Sequence, residues 1–516
     1  MQKIIDYTKQ YIGVISIVLA LCILLTYSLS YFKVNTESKR AAEMYIGELK
    51  YTISIDETST NTLTVPSGET IVDIDLTNQN EIKTYYKLLY LKNANISISY
   101  FNQTKNTSEE VTNYKAPSDS AESKSQNSLK LKIINSSSSN QTLTFKVSGG
   151  YSTNTLADVE VPNTYTEITS LETPSTNTYF CKTNDTLTQG LEYVDGQYTY
   201  GYKKEGKYSS SGLAWSNISN NGWGVQLTDK TSTVTVNTNV CTYVNNKPVV
   251  SAAYMFSESK ATTLDVSKLN TSNFINMNYM FLRSSATSLD LRNFNTSNVV
   301  NMGSMFSNSQ ATKLDVSSFD TSNVTNMGAM FYNSQATRLD LSSFNTSNVT
   351  DMGYMFFSSK ATTLDGLDKF NTNKVTNMSH LFQSSQFASL DISKFDTSNV
   401  TNMGSMFSNS KVTTIDLSNF DTSNVTNMGS MFSSAELKTL NVSSLDTSSV
   451  TNMSGMFSNS KVATLDLSNF DTSKVTDMSL MFSSNELKTI DVSSLDTSSV
   501  TNMSGMFSNS KVATLD

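Results

Sequence analysis

A column of acidic residues is the feature of this sequence whose type and spacing could do chemistry. One aspartate recurs in every block of about 25 residues, and an asparagine, Asn441, replaces it once. The aspartates are Asp265, Asp290, Asp315, Asp340, Asp365, Asp391, Asp416, Asp466, Asp491 and Asp516. Carboxylate oxygens bind hard cations such as calcium, and a row of carboxylates attracts basic groups. The column therefore predicts a strip for weak calcium binding, a basic partner or a carbohydrate, unless neighbouring Thr and Ser hydroxyls satisfy the carboxylates locally.

The blocks that carry these aspartates form an internal repeat that begins near residue 251. A phenylalanine marks each copy, and consecutive copies lie 25 residues apart except for one step of 26 residues. The phenylalanines are Phe256, Phe281, Phe306, Phe331, Phe356, Phe382, Phe407, Phe432, Phe457, Phe482 and Phe507. This period is typical of solenoids, in which stacked copies bury a face that no single copy can bury. Because solenoids usually present a surface for contact, the repeat favours a binding function.

Each copy has the pattern of a short strand, a turn and a two-turn helix. In residues 411–435, Ile415 and Leu417 alternate with polar residues, as in a strand with one buried face. Asp421 suits either a helix N-cap or an Asx turn. The apolar residues that follow form one stripe at helical spacing. They are Val425, Met428, Met431 and Phe432.

The repeat resembles the BspA-like leucine-rich-repeat surface proteins of bacteria, a repeat family shared with mycoplasma lipoproteins. The resemblance rests on IDLSNFDTSNVTNMGSMF (residues 415–432) and its copies, which cover about half of the chain. With the pattern above, it implies an α+β leucine-rich-repeat-type solenoid with a strand and a short helix in each coil. It further implies an exported protein that adheres to host matrix, glycans or other cells. A self-associating structural component of the cell envelope or extracellular matrix is the alternative hypothesis.

The first residues of the chain predict a membrane anchor. Residues 11–32 carry no charge and are long enough to cross a bilayer as a helix. A signal peptide cleaved near Ser30 is the rival interpretation, although the apolar run is long for one. We therefore expect a cytoplasmic tail at residues 1–10, a signal anchor at residues 11–32 and a single-pass cell-membrane protein whose bulk is extracellular.

Two further segments separate the anchor from the repeats. Residues 33–180 contain short alternating apolar runs between turn-like clusters, which favours a β-sandwich-like stalk domain. Residues 181–250 are rich in tyrosine and include Trp215 and Trp223. Such a segment forms either a β cap over the first coil or an aromatic platform for sugars. The cap interpretation is favoured because a solenoid must cover its apolar ends.

Composition argues against several other classes of function. The chain has 516 residues and a formal net charge of −8, and its Lys and Arg residues form no stripe, which argues against nucleic-acid binding. One histidine, His380, which we interpret as a tolerated surface variant, and three scattered cysteines do not suit a zinc or iron site. No phosphate loop, nucleophile elbow or dinucleotide fingerprint occurs, so we predict neither an enzyme nor a cofactor. Cys181 and Cys241 would be able to pair as a disulfide outside the cell.

The last copies of the repeat indicate recent expansion of the array. Residues 441–466 and 491–516 differ only in having Asn441 where the later copy has Asp491. The repeats, taken as residues 251–516, end within a predicted strand. We therefore expect this sequence to be a fragment of a longer protein.

Overall fold

The structure, a computed structural model, describes most of the chain between residues 49 and 515. The described ranges are 49–105, 111–113, 115–157, 160–172, 178–181, 191–195, 198–204, 208–210, 213–215, 222–233, 235–237 and 240–515. The predicted cytoplasmic tail and signal anchor, and Asp516, lie outside these ranges. The described residues form two compact units that divide near residue 174.

The first unit is a two-layer β structure. Its elements are β1 (Tyr51–Ile55), β2 (Thr62–Val65), β3 (Gly68–Asn78), β4 (Thr84–Leu91), β5 (Ile96–Phe101), β6 (Gln103–Lys105), β7 (Val111–Asn113), β8 (Ser118–Ala121), β9 (Gln126–Asn135), β10 (Gln141–Gly150), α1 (Thr153–Ala157), β11 (Tyr165–Glu167) and β12 (Ser170–Leu171). One sheet has the order β1-β3-β9-β5-β12, and the other has the order β11-β4-β10-β2 with β8 paired to β4. Alternating residues such as Ile74 and Leu76 on β3 share one core with Leu143 and Phe145 on β10.

The second unit begins with a sheet that continues into the repeats. Its first strands are β13 (Phe180–Cys181), β14 (Leu191–Asp195), β15 (Tyr198–Lys204), β16 (Tyr208–Ser210), β17 (Leu213–Trp215), β18 (Trp223–Leu227), β19 (Val236–Asn237), β20 (Tyr243–Val244) and β21 (Lys247–Ser251). Six of them form a sheet in the order β13-β20-β21-β18-β15-β14. A single buried core extends from Cys181 through Trp223 and the repeats to Ile490. The predicted boundary at residue 250 is thus crossed by continuous packing.

The repeats, residues 251–515, form a stack of coils that we call the repeat stack. Its regular elements are short: β22 (Leu264–Asp265), β23 (Ser288–Leu289), β24 (Lys313–Leu314), β25 (Arg338–Asp340), β26 (Thr363–Asp365), the 3-10 helix η1 (Leu367–Lys369), β27 (Thr489–Ile490) and β28 (Thr514–Leu515). Parallel bridges link neighbouring coils from Ser251 to Asn502. Apart from η1, the repeat stack contains no helix in its described residues. The predicted α+β solenoid with a strand and a short helix per coil is therefore wrong.

Consecutive tight turns occupy the segment for which a helix was predicted. The N–H of Met280 donates to the carbonyl of Met277, and the N–H of Ser284 donates to that of Phe281, so each bond closes a turn of four residues. Between these turns, the N–H of Phe281 donates to the carbonyl of Met305 in the next coil at 2.9 Å. A helix would satisfy these groups within one segment. Here the backbone satisfies them partly between coils, which joins the stack.

Left-handed backbone conformations on both sides of each marker phenylalanine exclude the helix. The residue two before and the residue two after each phenylalanine have φ between 47° and 65°. The first set is Tyr254, Tyr279, Ser304, Ala329, Tyr354, His380, Ser405, Ser430, Gly455, Leu480 and Gly505; we call it the left-handed slot. An α-helix requires φ near −63° at every position. The apolar stripe keeps its inward direction, because two consecutive turns also bury the Met and Phe positions.

Stacked phenylalanine rings fill the centre of the repeat stack. From Phe256 to Phe507, the rings of neighbouring coils lie 5.3–6.0 Å apart and within 17° of parallel. Met residues such as Met428 and Met431 are fully buried beside them. Offset aromatic stacking adds about 0.5–1.5 kcal/mol per pair to the burial of apolar area. A repeated ring at one position therefore fixes the register between coils.

Buried threonines form a second link between coils. The hydroxyl of Thr321 donates to the carbonyl of Asn345 at 2.9 Å and accepts the N–H of Asn345 at 2.8 Å. The same donation to the next coil recurs at Thr271, Thr296, Thr346, Thr372, Thr397, Thr422, Thr447 and Thr472. Each hydroxyl satisfies a backbone carbonyl that would otherwise be buried without a partner. This explains why threonine recurs at this position in the sequence.

The one coil with an extra residue accommodates it at a glycine. Gly366 has φ of 84° and precedes η1, within the 26-residue step between Phe356 and Phe382. A Cβ at Gly366 would lie 2.5 Å from the backbone nitrogen of Ser342. Only glycine combines that φ with that close approach, so the extra residue leaves the phenylalanine column in register.

The predicted transmembrane helix and the single-pass cell-membrane location that it implied are not matched by the described helices, and residues 11–32 themselves lie outside the described ranges. Among the described residues, no helix is both long enough and apolar enough to cross a bilayer. The longest helix in this part of the chain, α1, has five residues, whereas a membrane span needs about 20.

The turn arrangement predicts that glycine stabilises the left-handed slot. We expect Ser405→Gly to raise the free energy of unfolding of the second unit by up to about 1 kcal/mol, because glycine adopts positive φ without steric cost. Ser405 has φ of 57°, and glycine already occupies this slot at Gly455 and Gly505. Denaturant unfolding measures the change. Ser405→Ala, which also removes the hydroxyl, is the control and should not raise the free energy of unfolding. A loss of stability on Ser405→Gly would indicate that the segment is a helix.

Candidate functional site

The structure confines most aspartates of the predicted column in a local turn. Oδ1 of Asp315 accepts the N–H of Ser317 at 3.1 Å and its hydroxyl at 2.6 Å, which is an Asx turn. The same backbone bond occurs at Asp265, Asp290, Asp340, Asp391, Asp416, Asp466 and Asp491. Asn441 makes this bond with its amide oxygen. Local hydrogen bonds of this kind were one of the two interpretations of the column.

Hydrogen bonds lower the pKa of seven of these carboxylates, those of Asp290, Asp315, Asp340, Asp391, Asp416, Asp466 and Asp491. The bonds from Ser317 lower the pKa of Asp315, although the neighbouring Asp290 carboxylate opposes the shift. The guanidinium of Arg292 lowers the pKa of Asp290 to about 2. Asp365 differs from the others, because its Oδ2 lies 2.8 Å from Nη2 of Arg338 in the previous coil. The column is therefore a row of fixed negative charges at neutral pH.

The structure places only some aspartates of the predicted column directly beside one another. Asp340 and Asp365 face each other in register across β25 and β26. Asp265 ends β22, the other described members lie outside strands, and most of the carboxylates are exposed. Within the described residues, no three His, Cys, Asp or Glu side chains are grouped so as to hold a metal ion.

A second Asx column lies five residues after the first. Its members accept the N–H of the residue two positions later, as Asp421 does from Ser423 at 3.0 Å. They are Asn270, Asn295, Asp320, Asn345, Asn371, Asp396, Asp421, Asp446, Asp471 and Asp496. Of the two alternatives at this position, the structure has the Asx turn and not the helix N-cap. Asp at both columns concentrates negative charge in the later coils.

The aromatic segment before the repeats contains the cysteine pair. Cys181 and Cys241 are joined by a disulfide, and both are buried. The rings of Phe180 and Tyr243 stack beside it at 4.8 Å. Trp223 is 2% exposed and belongs to the core that continues into the coils. Its ring is thus not open to a ligand, which agrees with a cap and not with a sugar platform at this residue.

A groove across five consecutive coils was not found by sequence reasoning. Its volume is about 320 Å³, and we call it the tyrosine groove. Tyr279 lines one end and Tyr354 the other. Between them lie smaller residues of the same left-handed slot, Ser304 and Ala329. The groove therefore exists because small side chains interrupt a column of large ones.

Each end of the groove is a stacked aromatic pair. The rings of Tyr254 and Tyr279 lie 4.5 Å apart, 11° from parallel. The rings of Tyr354 and His380 lie 4.1 Å apart, 14° from parallel. Nδ1 of His380 is hydrogen-bonded to Oε1 of Gln383. The histidine that we interpreted as a surface variant is therefore part of an aromatic wall.

Amides and bare glycine backbone form the floor. Oδ1 of Asn301 accepts the N–H of Gly303 at 2.9 Å, and Oδ1 of Asn326 accepts that of Gly328 at 2.8 Å. Among the described residues, Nδ2 of neither asparagine donates a hydrogen bond. Oδ1 of Asp351 accepts bonds from its own coil and from Asn377, which leaves Oδ2 open. The floor thus offers two amide donors and a carboxylate oxygen.

One signal in the sequence could have revealed the groove. Aligning the copies on the marker phenylalanine gives Tyr, Tyr, Ser, Ala, Tyr and His at the left-handed slot from residue 254 to residue 380. The variation is not random, because aromatic residues occur in adjacent pairs. The prediction of a helix hid this pattern, because a helix does not place the residues of the left-handed slot in one column beside the asparagine amides.

The Asx column predicts a defined response to acid and to side-chain replacement. Hydrogen bonds from Ser418 lower the pKa of Asp416, so its stabilising effect is present above its unfolded pKa of about 3.9 and is lost as pH falls through the lower folded value. We expect replacing Asp391, Asp416 and Asp466 together by Asn to keep the melting temperature at neutral pH and to flatten its fall in acid.

The same three positions replaced by Ala provide the control. Alanine removes the oxygen that accepts the turn hydrogen bond, so the melting temperature should fall at every pH. Thermal unfolding from about pH 7 to about pH 2 measures both variants. Equal behaviour of the Asn and Ala variants would show that the turn bonds do not stabilise the stack.

Comparison with known proteins assigns the repeat stack to a family. Three overlapping segments, residues 250–365, 357–461 and 436–515, match the family described as "Mycoplasma protein of unknown function, DUF285". No curated protein and no solved structure matches the chain. The matched segments together span just over half of the 516 residues. The protein therefore belongs to the DUF285 family.

Proposed function

We propose that this protein is an adhesive binding protein, not an enzyme, and that its repeat stack holds an extended segment of a partner on host matrix or on another cell. The observation that carries the proposal is the tyrosine groove, a concave surface with aromatic ends and a polar floor. Concave sites with a few convergent polar groups are the usual places where proteins bind ligands. The likeness of the repeats to BspA-like surface proteins supports the same conclusion.

Rigid support favours binding by the groove. Beneath it, the rings of Phe306 and Phe331 are fully buried and stacked at 5.7 Å. Each coil is also bound to the next by backbone hydrogen bonds, such as that from the N–H of Ser304 to the carbonyl of Gly328 at 2.8 Å. A preformed site loses little conformational entropy when a ligand binds. The stack therefore supports recognition without a change of fold.

The acidic columns supply a second surface for contact. Asp391, Asp416, Asp466 and Asp491 are exposed, and hydrogen bonds lower the pKa of each. A row of fixed negative charges accelerates encounter with a basic partner and weakens as salt is added. We assign this face to steering a basic partner, and the groove to holding the bound segment.

The test uses the purified full chain and a variant in which the groove is filled. Ser304→Tyr with Ala329→Tyr continues the aromatic column through the gap, and the left-handed slot already holds Tyr at three positions. We expect attachment to host-matrix proteins and cell surfaces to fall at least about tenfold, a change of about 1.4 kcal/mol in binding free energy.

The matched control places the same residues at the same slot outside the groove. Ser405→Tyr with Ser430→Tyr should bind as the unmodified chain does. Equal binding by the groove-filled variant would contradict a role for the groove. Concentration-dependent assembly of the chain, measured by sedimentation, together with no attachment to any surface, would favour the alternative, a self-associating structural component.

A further inference from the structure

We infer that the tyrosine groove binds an uncharged oligosaccharide chain that lies along the axis of the repeat stack. The inference rests on the proposed function and names the chemical class of the ligand. Four features of the groove support it: aromatic faces at its ends, its length, its free polar groups, and its low charge.

The aromatic ends suit sugar rings. A pyranose ring carries C–H groups on its faces and hydroxyls around its edge, so it can pack a face on an aromatic ring while its hydroxyls remain hydrogen-bonded. Tyr279 and Tyr354 each present a ring that a second ring supports from behind, at 4.5 Å from Tyr254 and 4.1 Å from His380. Rings held in this way lose little freedom when a ligand packs on them.

These tyrosines also have a conformational cost, which they share with every non-glycine residue of the left-handed slot. Tyr254, Tyr279 and Tyr354 have φ of 59°, 57° and 59°. A positive φ costs a residue with a side chain roughly 1–2 kcal/mol, and other coils reduce that cost with glycine at the same slot, as at Gly455. Because every coil has a positive φ at this slot, the backbone conformation alone does not account for which side chain occupies it. The bulky residues at this slot are therefore explained by what their rings contact.

The length of the groove fits a chain and not a single ring. Three coil steps separate Tyr279 from Tyr354, which is about 14 Å at the usual spacing of neighbouring strands. Ser304 and Ala329 keep the space between them open. A short run of linked sugars can therefore contact both aromatic ends at once.

The polar floor matches hydroxyl groups. A hydroxyl both donates and accepts hydrogen bonds. Nδ2 of Asn301 and of Asn326 are donors without an acceptor among the described residues, and Oδ2 of Asp351 is an acceptor in the same row. These groups follow one another along the groove at coil spacing, one from each coil, as the hydroxyls of successive sugar rings do along a chain.

Glycines keep this floor open. In one of the coils where serine replaces glycine, the hydroxyl of Ser379 donates to Oδ1 of Asn377 at 2.7 Å and so engages the amide oxygen. Gly303, Gly328 and Gly353 lack that hydroxyl. A Cβ on Gly328 would lie 3.1 Å from Oδ2 of Asp351. The absence of a side chain here thus leaves the amides and the carboxylate for a ligand.

Charge and backbone pairing argue against anionic chains and against a peptide that pairs as a strand. Asp351 is the one charged residue that lines the groove among the described residues, and its carboxylate repels sulfated, phosphorylated or acidic chains. A peptide strand would need unpaired backbone groups along an edge. The N–H groups of Met302, Ser304 and Ala329 instead donate to the next coil. An uncharged sugar chain needs neither a cation nor a strand edge, so it is the extended ligand that best fits the groove.

Calorimetric titration of the full chain tests the inference directly. The probes are short neutral homo-oligomers of glucose, galactose and N-acetylglucosamine, with the free monosaccharides and a sulfated oligosaccharide as comparators. We expect saturable binding of at least one neutral oligomer, weaker binding of its monosaccharide and none of the sulfated chain.

Two variants locate the site. Tyr279→Ala removes one aromatic end, and Gly328→Ser introduces the hydroxyl that serine supplies at the same position elsewhere in the stack, as at Ser379. Each should weaken oligomer binding about tenfold. Gly429→Ser, the same change outside the groove, should leave binding unchanged. Should Tyr279→Ala fail to fold, the groove-filled variant Ser304→Tyr with Ala329→Tyr serves in its place.

The outcomes separate this inference from the proposed function. Attachment to cells that is lost on filling the groove, while no oligosaccharide binds and glycosidase treatment of the cells has no effect, overturns the sugar inference and leaves adhesion standing. Preferred binding of the sulfated chain, or oligomer binding that Tyr279→Ala and Gly328→Ser do not weaken, also overturns it. No attachment and no oligosaccharide binding contradict both.

Discussion

The hydrogen bonds between coils are the constraint on which the rest of the repeat stack depends. A residue such as Met277 donates its N–H not to its own coil but to Asn301 in the next one. This requires the chain to reverse twice around each marker phenylalanine, and the left-handed residues provide those reversals. Once the coils are linked in this way, phenylalanines must stack on phenylalanines and threonines must meet the carbonyls of the next coil. Register, core and surface columns all follow from that one pattern of bonding.

Much of the repeat could be predicted from the sequence, because the spacing of apolar residues indicates which positions are buried and the constant step between copies gives the period. The 25-residue step and the buried Met and Phe positions are found in the structure as expected, and Cys181 and Cys241 form the disulfide that the sequence left open. The secondary structure was predicted wrongly for an identifiable reason. Met428, Met431 and Phe432 are spaced as on a helix, yet two successive turns bury the same three positions. Apolar spacing reports which residues point inward and does not report the sign of φ.

The candidate site was harder to predict because its residues are not unusual individually. In a sequence, glycine or asparagine usually indicates a residue with left-handed φ. Here Tyr279, Ala329 and His380 adopt that conformation. The aspartates are conspicuous in the sequence because they are charged and recur in every copy except the one with Asn441, whereas serines two residues away engage the oxygens of most of them. The groove depends on variation between copies at one slot, which becomes visible only when the coils are placed beside one another.

The left-handed slot has a consequence for how such a surface can change. Tyrosine, histidine, serine, alanine, leucine and glycine all occupy it in this one chain with nearly the same backbone. The fold thus tolerates many residue types at this slot. The residue that occupies it changes the shape of the exposed surface and leaves the buried core unaffected. A single codon change in one copy therefore closes, opens or moves a depression along the stack. Duplication of whole copies, as between Asn441 and Asp491, lengthens the row of such positions, so that a new contact surface arises without a new fold.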